Sequence, residues 1–361
     1  MISFPSSLSN IFLSYKYSYS IARIKAMKSF LLSDRQFTSI IEAKDVEDAV
    51  DILNNTIYGP LISDTIREGF LATEGALNKN LVDTLVKISK FLPGNIKEIF
   101  SDYLTKYEVA NIKSILRGIF AKAPKEEITR SLLPISLNIK ESIYDDLVGL
   151  ETIEEVVSRL EGTIYGDILK EVLPEYEKNE ILLPLEASMD NFVYENLWMR
   201  LSSFKGPDIE LLKKAIGTEI DIINIKVILR SIADGVKAKE MVKYLIPNGH
   251  ELDPKRLEAM RKMEDIEGVI NALERTSYYE PLSKSAGEYK KTGRLSIFEG
   301  ALDSYYTRLG REFRFEQPLG IGPIWGYVIS KVAEIHELIR VLKLKVEGFS
   351  PEEIKELGVR T

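Results

Sequence analysis

Cysteine is absent from this 361-residue chain, which excludes disulfide bridges, thiolate nucleophiles and any zinc site built on sulfur. Histidine is almost absent too: His250 and His336 are the two present, and together they cannot form a histidine zinc site without carboxylate help. No run of roughly 20 uninterrupted apolar residues occurs, so no segment is expected to span a bilayer. The N-terminal stretch is broken by Ser, Asn and Lys and lacks the apolar core of a signal peptide. A soluble, intracellular protein is expected. An excess of positive charge is missing as well. Lys and Arg number 48 against 55 Asp and Glu, and the net charge of -7 offers no field for a phosphate backbone, so no nucleic-acid partner is expected.

What the chain does have is apolar residues, 45% of the total, enough for about two or three domain cores at this length. It also has a repeat. Glu108-x-x-Asn111-Ile112-Lys113-x-Ile115-Leu116-Arg117 recurs 113 residues later as Asp221-x-x-Asn224-Ile225-Lys226-x-Ile228-Leu229-Arg230. The same shift lands next on Glu334-x-x-Glu337-Leu338, with Val341, Leu342 and Lys343 where Ile228, Leu229 and Arg230 stood. The register holds beyond that block. Val157-x-x-Leu160-x-x-Thr163-x-Tyr165 becomes Ile270-x-x-Leu273-x-x-Thr276-x-Tyr278, and Glu186-x-x-Met189-Asp190 becomes Glu299-x-x-Leu302-Asp303. A shorter first unit carries Val50-x-x-Leu53-x-x-Thr56-x-Tyr58 and then Glu74-Gly75-Ala76-Leu77-Asn78. A long fixed period of this kind marks a repeat architecture.

Each unit reads as helical, because Asn111, Ile112, Ile115, Leu116 and Ile119 share one helix side and period-2 alternation is scarce. Breakers at Pro93-Gly94, Gly206-Pro207, Pro247-Asn248-Gly249 and Gly320-Ile321-Gly322-Pro323 punctuate helices rather than strands. The expected fold is all-α, with three similar helical domains at 1–103, 104–216 and 217–361. Residues 17–27 hold only an imperfect copy of the opening block, whereas residues 334–343 hold a further one. The last helix is therefore expected to close onto the first domain.

Several constellations could carry chemistry. The pairs Glu74/Asn78, Glu186/Asp190 and Glu299/Asp303 each share a helix face, which makes a magnesium site conceivable; solvation or bonding to neighbouring helices is the preferred reading. Glu108 with Asn111, and Asp221 with Asn224, lie beside apolar positions and must find partners, with another helix expected to supply them. His336-Glu337-Leu338-Ile339-Arg340 opens like a zincin motif but puts Arg340 where the second histidine must stand. Gly320-Ile321-Gly322 lacks the third glycine of a dinucleotide loop and reads as a turn before the last helix. Asp145-Asp146 reads as solvated surface, His250 as an exposed turn, and Trp198, Trp325, Phe192, Tyr194 and Tyr327 as core aromatics. No catalytic, cofactor-binding or metal-ligating residue is assigned.

Ala22-Arg23-Ile24-Lys25-Ala26-Met27-Lys28-Ser29-Phe30-Leu31-Leu32 resembles the opening of a central-stalk family of archaeal and vacuolar-type rotary ATPases, whose members are the C subunit in archaea and the d subunit in eukaryotes. Val46-Glu47-Asp48-Ala49, the Thr56-Ile57-Tyr58-Gly59 signature and the element from Glu299 to Tyr306 resemble it too, and the likeness extends over essentially the whole chain. Glu337 and Ile339 depart from the Asn and Lys of the earlier copies. The resemblance implies a pseudo-threefold funnel without a catalytic site, cofactor or bound nucleotide. It further implies D- and F-type shaft subunits as partners at the wide mouth, the proteolipid c-type ring at the opposite face, and a peripheral position on the cytoplasmic side of the membrane in proton transport. Two other readings stand beside it: a helical scaffold for soluble partners, and a metal-dependent enzyme using the repeated acidic pairs.

Overall fold

The computed structural model describes residues 6–233, 235 and 241–357. Helices and turns account for them and no strand occurs among the described residues, so the chain is all-α as its periodicity predicts. The first stretch runs α1 (Ser6–Lys28), α2 (Asp34–Glu42), α3 (Val46–Leu53), α4 (Gly59–Thr65) and α5 (Phe70–Ser89). The second runs α6 (Gly94–Phe120), α7 (Lys125–Ser131), α8 (Glu141–Leu147), α9 (Ile153–Arg159), α10 (Gly166–Asn179) and α11 (Leu183–Ser202). In the third are α12 (Pro207–Ala233), α13 (Pro254–Met260), α14 (Ile266–Ala272), α15 (Tyr279–Thr292) and α16 (Ser296–Glu316), after which α17 (Gly322–Val346) and α18 (Pro351–Glu356) end the described chain.

The breakers read from the sequence open the three long helices, α6 after Pro93, α12 at Pro207 and α17 with a proline in its first turn. Proline suits that place because its missing N–H falls where a helix has no acceptor to offer. The short helices repeat their caps as well. Asp45, Thr152 and Asp265 accept from the backbone N–H groups of Asp48, Glu155 and Gly268. Thr56, Thr163 and Thr276 then donate their hydroxyls to the carbonyls of Leu53, Leu160 and Leu273 at 2.7, 2.7 and 2.6 Å, tightening each exit turn. In the first two turns the next helix starts so close that a Cβ on Gly59 would lie 2.5 Å from the Asn54 carbonyl oxygen, and one on Gly166 2.4 Å from that of Leu160. Only glycine fits there.

Three apolar cores result, and the long helices are shared between them. The C-terminal half of α6 enters a core from Val109 to Val193, and that of α12 a core from Ile222 to Leu302. Their N-terminal halves, with Phe100, Tyr103, Leu212 and Ile216, join Trp325 and Val328 of α17 in a common centre continuous with the core of α1 to α5. Trp325 meets Phe100 and Tyr103 edge-on, at centroid separations of 5.8 and 4.8 Å.

The last helices belong spatially with the first. α17 packs against α1, α3 and α5, and α18 against α2. Buried Lys345 of α17 donates to the carbonyls of Ile41, at 3.0 Å, and Ala43 at the end of α2, supplying positive charge where a helix terminus is negative. Lys355 of α18 pairs with Glu42 at 3.0 Å.

Tyr165 and Tyr278 are fully buried and each donates its hydroxyl to a carboxylate of a long helix. Tyr165→Phe and Tyr278→Phe are each expected to lower unfolding stability by about 1–3 kcal/mol, measured by urea denaturation, because a charged acceptor then loses a partner inside the protein. A loss below about 0.5 kcal/mol in both would mean that the backbone donors alone suffice.

Candidate functional site: repeated polar clasps and a charged centre

The same polar pattern is written on each long helix. Glu108 of α6 accepts from the N–H groups of Leu137, Asn138 and Ile139 at 2.7, 2.9 and 3.2 Å and from the Tyr165 hydroxyl at 2.5 Å. One period on, Asp221 of α12 accepts from His250, Glu251 and Leu252 at 2.9, 2.7 and 3.3 Å and from the Tyr278 hydroxyl at 2.7 Å. Asn111 exchanges two bonds with the backbone of Leu133, at 2.9 and 2.7 Å, and Asn224 does the same with Ile246 at 2.8 Å each. Another helix is the partner that their place beside apolar positions predicts. The structure gives them loop backbone and one tyrosine instead, because a segment too irregular to pair its own N–H groups needs acceptors and the long helix provides them. Burial raises the pKa of Asp221 despite its four donors.

The third acid, Glu334 of α17, holds the first stretch of the chain. It accepts from the Tyr58 hydroxyl and from the N–H of Leu32 at 2.6 Å. Lys331 joins this clasp, donating to the Tyr58 hydroxyl at 2.6 Å with its ammonium 3.9 Å from Glu334. Burial pushes the Lys331 pKa down to about 8 against the pull of Glu334, and burial likewise raises Glu334.

The acidic pairs weighed as metal ligands have cationic partners in two units. Asp190 takes the Lys113 ammonium at 2.7 Å, and Glu186 the Arg117 guanidinium at 2.5 and 2.8 Å. Asp303 and Lys226 repeat the first contact at 2.6 Å, and Glu299 and Arg230 the second at 2.6 Å. No cluster of three or more His, Asp or Glu side chains placed to hold a metal occurs among the described residues. Asp146 pairs with Arg159, His250 is exposed, and Phe192 packs edge-on against Tyr165.

At the common centre stands a group that the repeat search misses. Glu219 of α12 accepts from Lys106 at 2.8 Å and from the hydroxyls of Tyr194, Tyr306 and Tyr103 at 2.9, 3.2 and 3.4 Å. Burial alone would raise its pKa. The Lys106 ammonium, with hydrogen bonds from Lys106, Tyr194 and Tyr306, outweighs that and holds the carboxyl below its ordinary range. Lys106 and Glu219 are one period apart, so the signal lay in a repeat position that reverses its charge, with Val332 third. This centre ties α6, α11, α12 and α16 without using any of the residues that recur from unit to unit.

An all-α chain whose three long helices each clamp a tyrosine and nearby backbone, and whose acidic pairs are filled by its own cations in two of three units, is a helical-repeat protein. Comparison with known proteins places it more narrowly. Residues 20–357 match the model of the ATP synthase (C/AC39) subunit family, and the chain belongs to that family. It is 34% identical to the C subunit of the A-type ATP synthase of Methanocaldococcus jannaschii, over 94% of this chain and 86% of that protein. The corresponding protein of Methanothermobacter thermautotrophicus is 31% identical over 95% and 88%, and that of Pyrococcus furiosus 30% over 94% and 90%.

The charged centre makes a pH-dependent prediction. With its folded pKa depressed, Glu219 contributes stability that is present above the unfolded carboxyl pKa of about 4.3 and lost as the pH falls through the folded value. Glu219→Gln should cost roughly 2–4 kcal/mol at pH 7, since it leaves the Lys106 ammonium without its counter-charge. In urea titrations the gap between the two proteins should close below about pH 4; a gap independent of pH would deny the carboxylate its role.

Proposed function

We propose that this chain is the non-catalytic central-stalk component of an A-type rotary ATP synthase. In this reading it joins the turning shaft of D- and F-type subunits to the proteolipid ring during proton transport, peripherally on the cytoplasmic side of the membrane. The observation that carries the reading is the threefold recurrence of the acid–tyrosine clasp in a member of the C/AC39 family, with the third clasp made by residues 276 positions apart. Three equivalent helical domains at 1–103, 104–216 and 217–361, with the last helix returning to the first, would form a funnel closed on itself. Such a body suits a coupling: packed interiors have low compressibility and transmit strain, so load applied at one face arrives at the other. No described helix is long and apolar enough to cross a membrane, in keeping with a peripheral place. The filled acidic pairs speak against the metal-enzyme reading, because Lys and Arg already neutralise them.

The absence of cysteine makes a clean test available. Cysteines on exposed positions of this chain, paired in turn with shaft, ring and stator positions, are to be oxidised in inverted membrane vesicles. ATP-driven proton pumping should largely survive a link to shaft or ring, because these parts do not move relative to one another. A link to the stator should stop it, and reductant should restore it. Shaft links that block pumping reversibly while stator links leave it intact would make the chain a static scaffold.

A further inference from the structure

The first stretch of the chain keeps the acid of the repeated ion pairs and has lost the cations. Glu74 of α5 occupies the place of Glu186 and Glu299, which Arg117 and Arg230 neutralise in the other units. Its own long helix, α17, carries Lys343 where those arginines stand and Ile339 where Lys113 and Lys226 stand. Lys343 is exposed and makes no ion pair with Glu74, and among the described residues Glu74 has neither a salt bridge nor a side-chain hydrogen bond.

Beside this carboxylate lies a cavity of about 420 Å³ between α5, α6, α7 and α17. Its apolar wall includes Leu71, Leu81 and Val82, and its polar lining includes Glu74, Asn78, Ser114 and His336. None of these four has a side-chain hydrogen bond or ion pair within the described chain. Tyr107 also lines it, 8% exposed, with a hydroxyl that finds no partner. Arg130 lines it too and is exposed. Glu74 and Asn78 are half-buried, so the cavity presents a carboxylate beside apolar surface without the counter-charge that Glu186 and Glu299 have.

We propose that this cavity is the receptor for a basic side chain of a partner protein, whose aliphatic shank lies on Leu71, 37% exposed, and whose cationic head reaches Glu74. The chain shows what such an occupant looks like, since Arg117 on Glu186 is the same recognition made internally. An arginine suits the carboxylate best, its planar fork matching two oxygens, and the Asn78 side-chain amide oxygen is an acceptor for a remaining N–H group. A partner supplies the cation here, where the other two units supply their own. The first unit thereby offers a contact that its two counterparts have closed.

The probe is N-acetylarginine methylamide, titrated into the isolated full chain and followed by the methyl resonances of Leu71. Binding in the millimolar range is expected, weakened at least about tenfold for the uncharged isostere N-acetylcitrulline methylamide and in Glu74→Gln. Lys343→Arg, which restores the pairing of the other units, should weaken the probe as well by occupying Glu74 from within. Citrulline binding as well as arginine, or either variant binding the probe as the wild type does, overturns the proposal. A second arm uses the assembled ATPase with a photo-reactive benzoylphenylalanine at Leu71. Adducts within a few residues of an Arg or Lys on another chain support a protein partner; adducts confined to this chain show that only free cations enter and overturn it. The second arm rests on the central-stalk reading and the first does not, so a chain that binds the probe but never assembles with the ATPase removes that reading and leaves the site.

Discussion

A carboxylate placed inside a protein must be compensated or expelled, and the three long helices of this chain each compensate one with a tyrosine hydroxyl and backbone N–H groups. Glu108 and Asp221 are fully buried, at 0% exposure, and each gathers three backbone N–H groups beside its tyrosine. The gain runs in both directions. The acid would be intolerable without the donors, and the irregular loop that provides them would carry unpaired N–H groups without the acid. Helix, loop and the tyrosine after the short helix are thus fixed to one another by a single group.

Much of this was legible in the sequence. The 113-residue shift exposed the three acids and the Thr-x-Tyr motifs as recurring marks, and the breakers located the starts of α6, α12 and α17. Their partners were not legible, because a period says which positions are equivalent but not what each faces. Asn111 and Leu133 move together through the repeat, yet their mutual bond appears only in three dimensions. The charged centre was hidden for the opposite reason. Lys106 and Glu219 occupy equivalent positions with opposite charges, so a search for similarity discards them, although the long helices that carry them meet at the common centre.

The three units also differ where their surroundings differ. Two fill their acidic faces with their own Lys and Arg. The unit completed by α17 instead brings Lys331 into the clasp, where Thr105 and Thr218 stand in the earlier copies. A buried ammonium beside Glu334 balances a carboxylate that has one backbone donor rather than three. Loss of loop donors and gain of a lysine are two sides of one compensation, visible only when the copies are compared position by position.

The clasp between Tyr58 and Glu334 spans 276 residues, against 57 for each of the other two. Contacts so distant in sequence demand the closure of a very long chain segment, whose entropy must be met before the contact can form, and they slow folding accordingly. During synthesis the second and third units have all their clasp residues before α17 leaves the ribosome, while the first, although made earliest, waits with Tyr58 unanswered until the last. The first of the three units to be made is therefore the last to be finished.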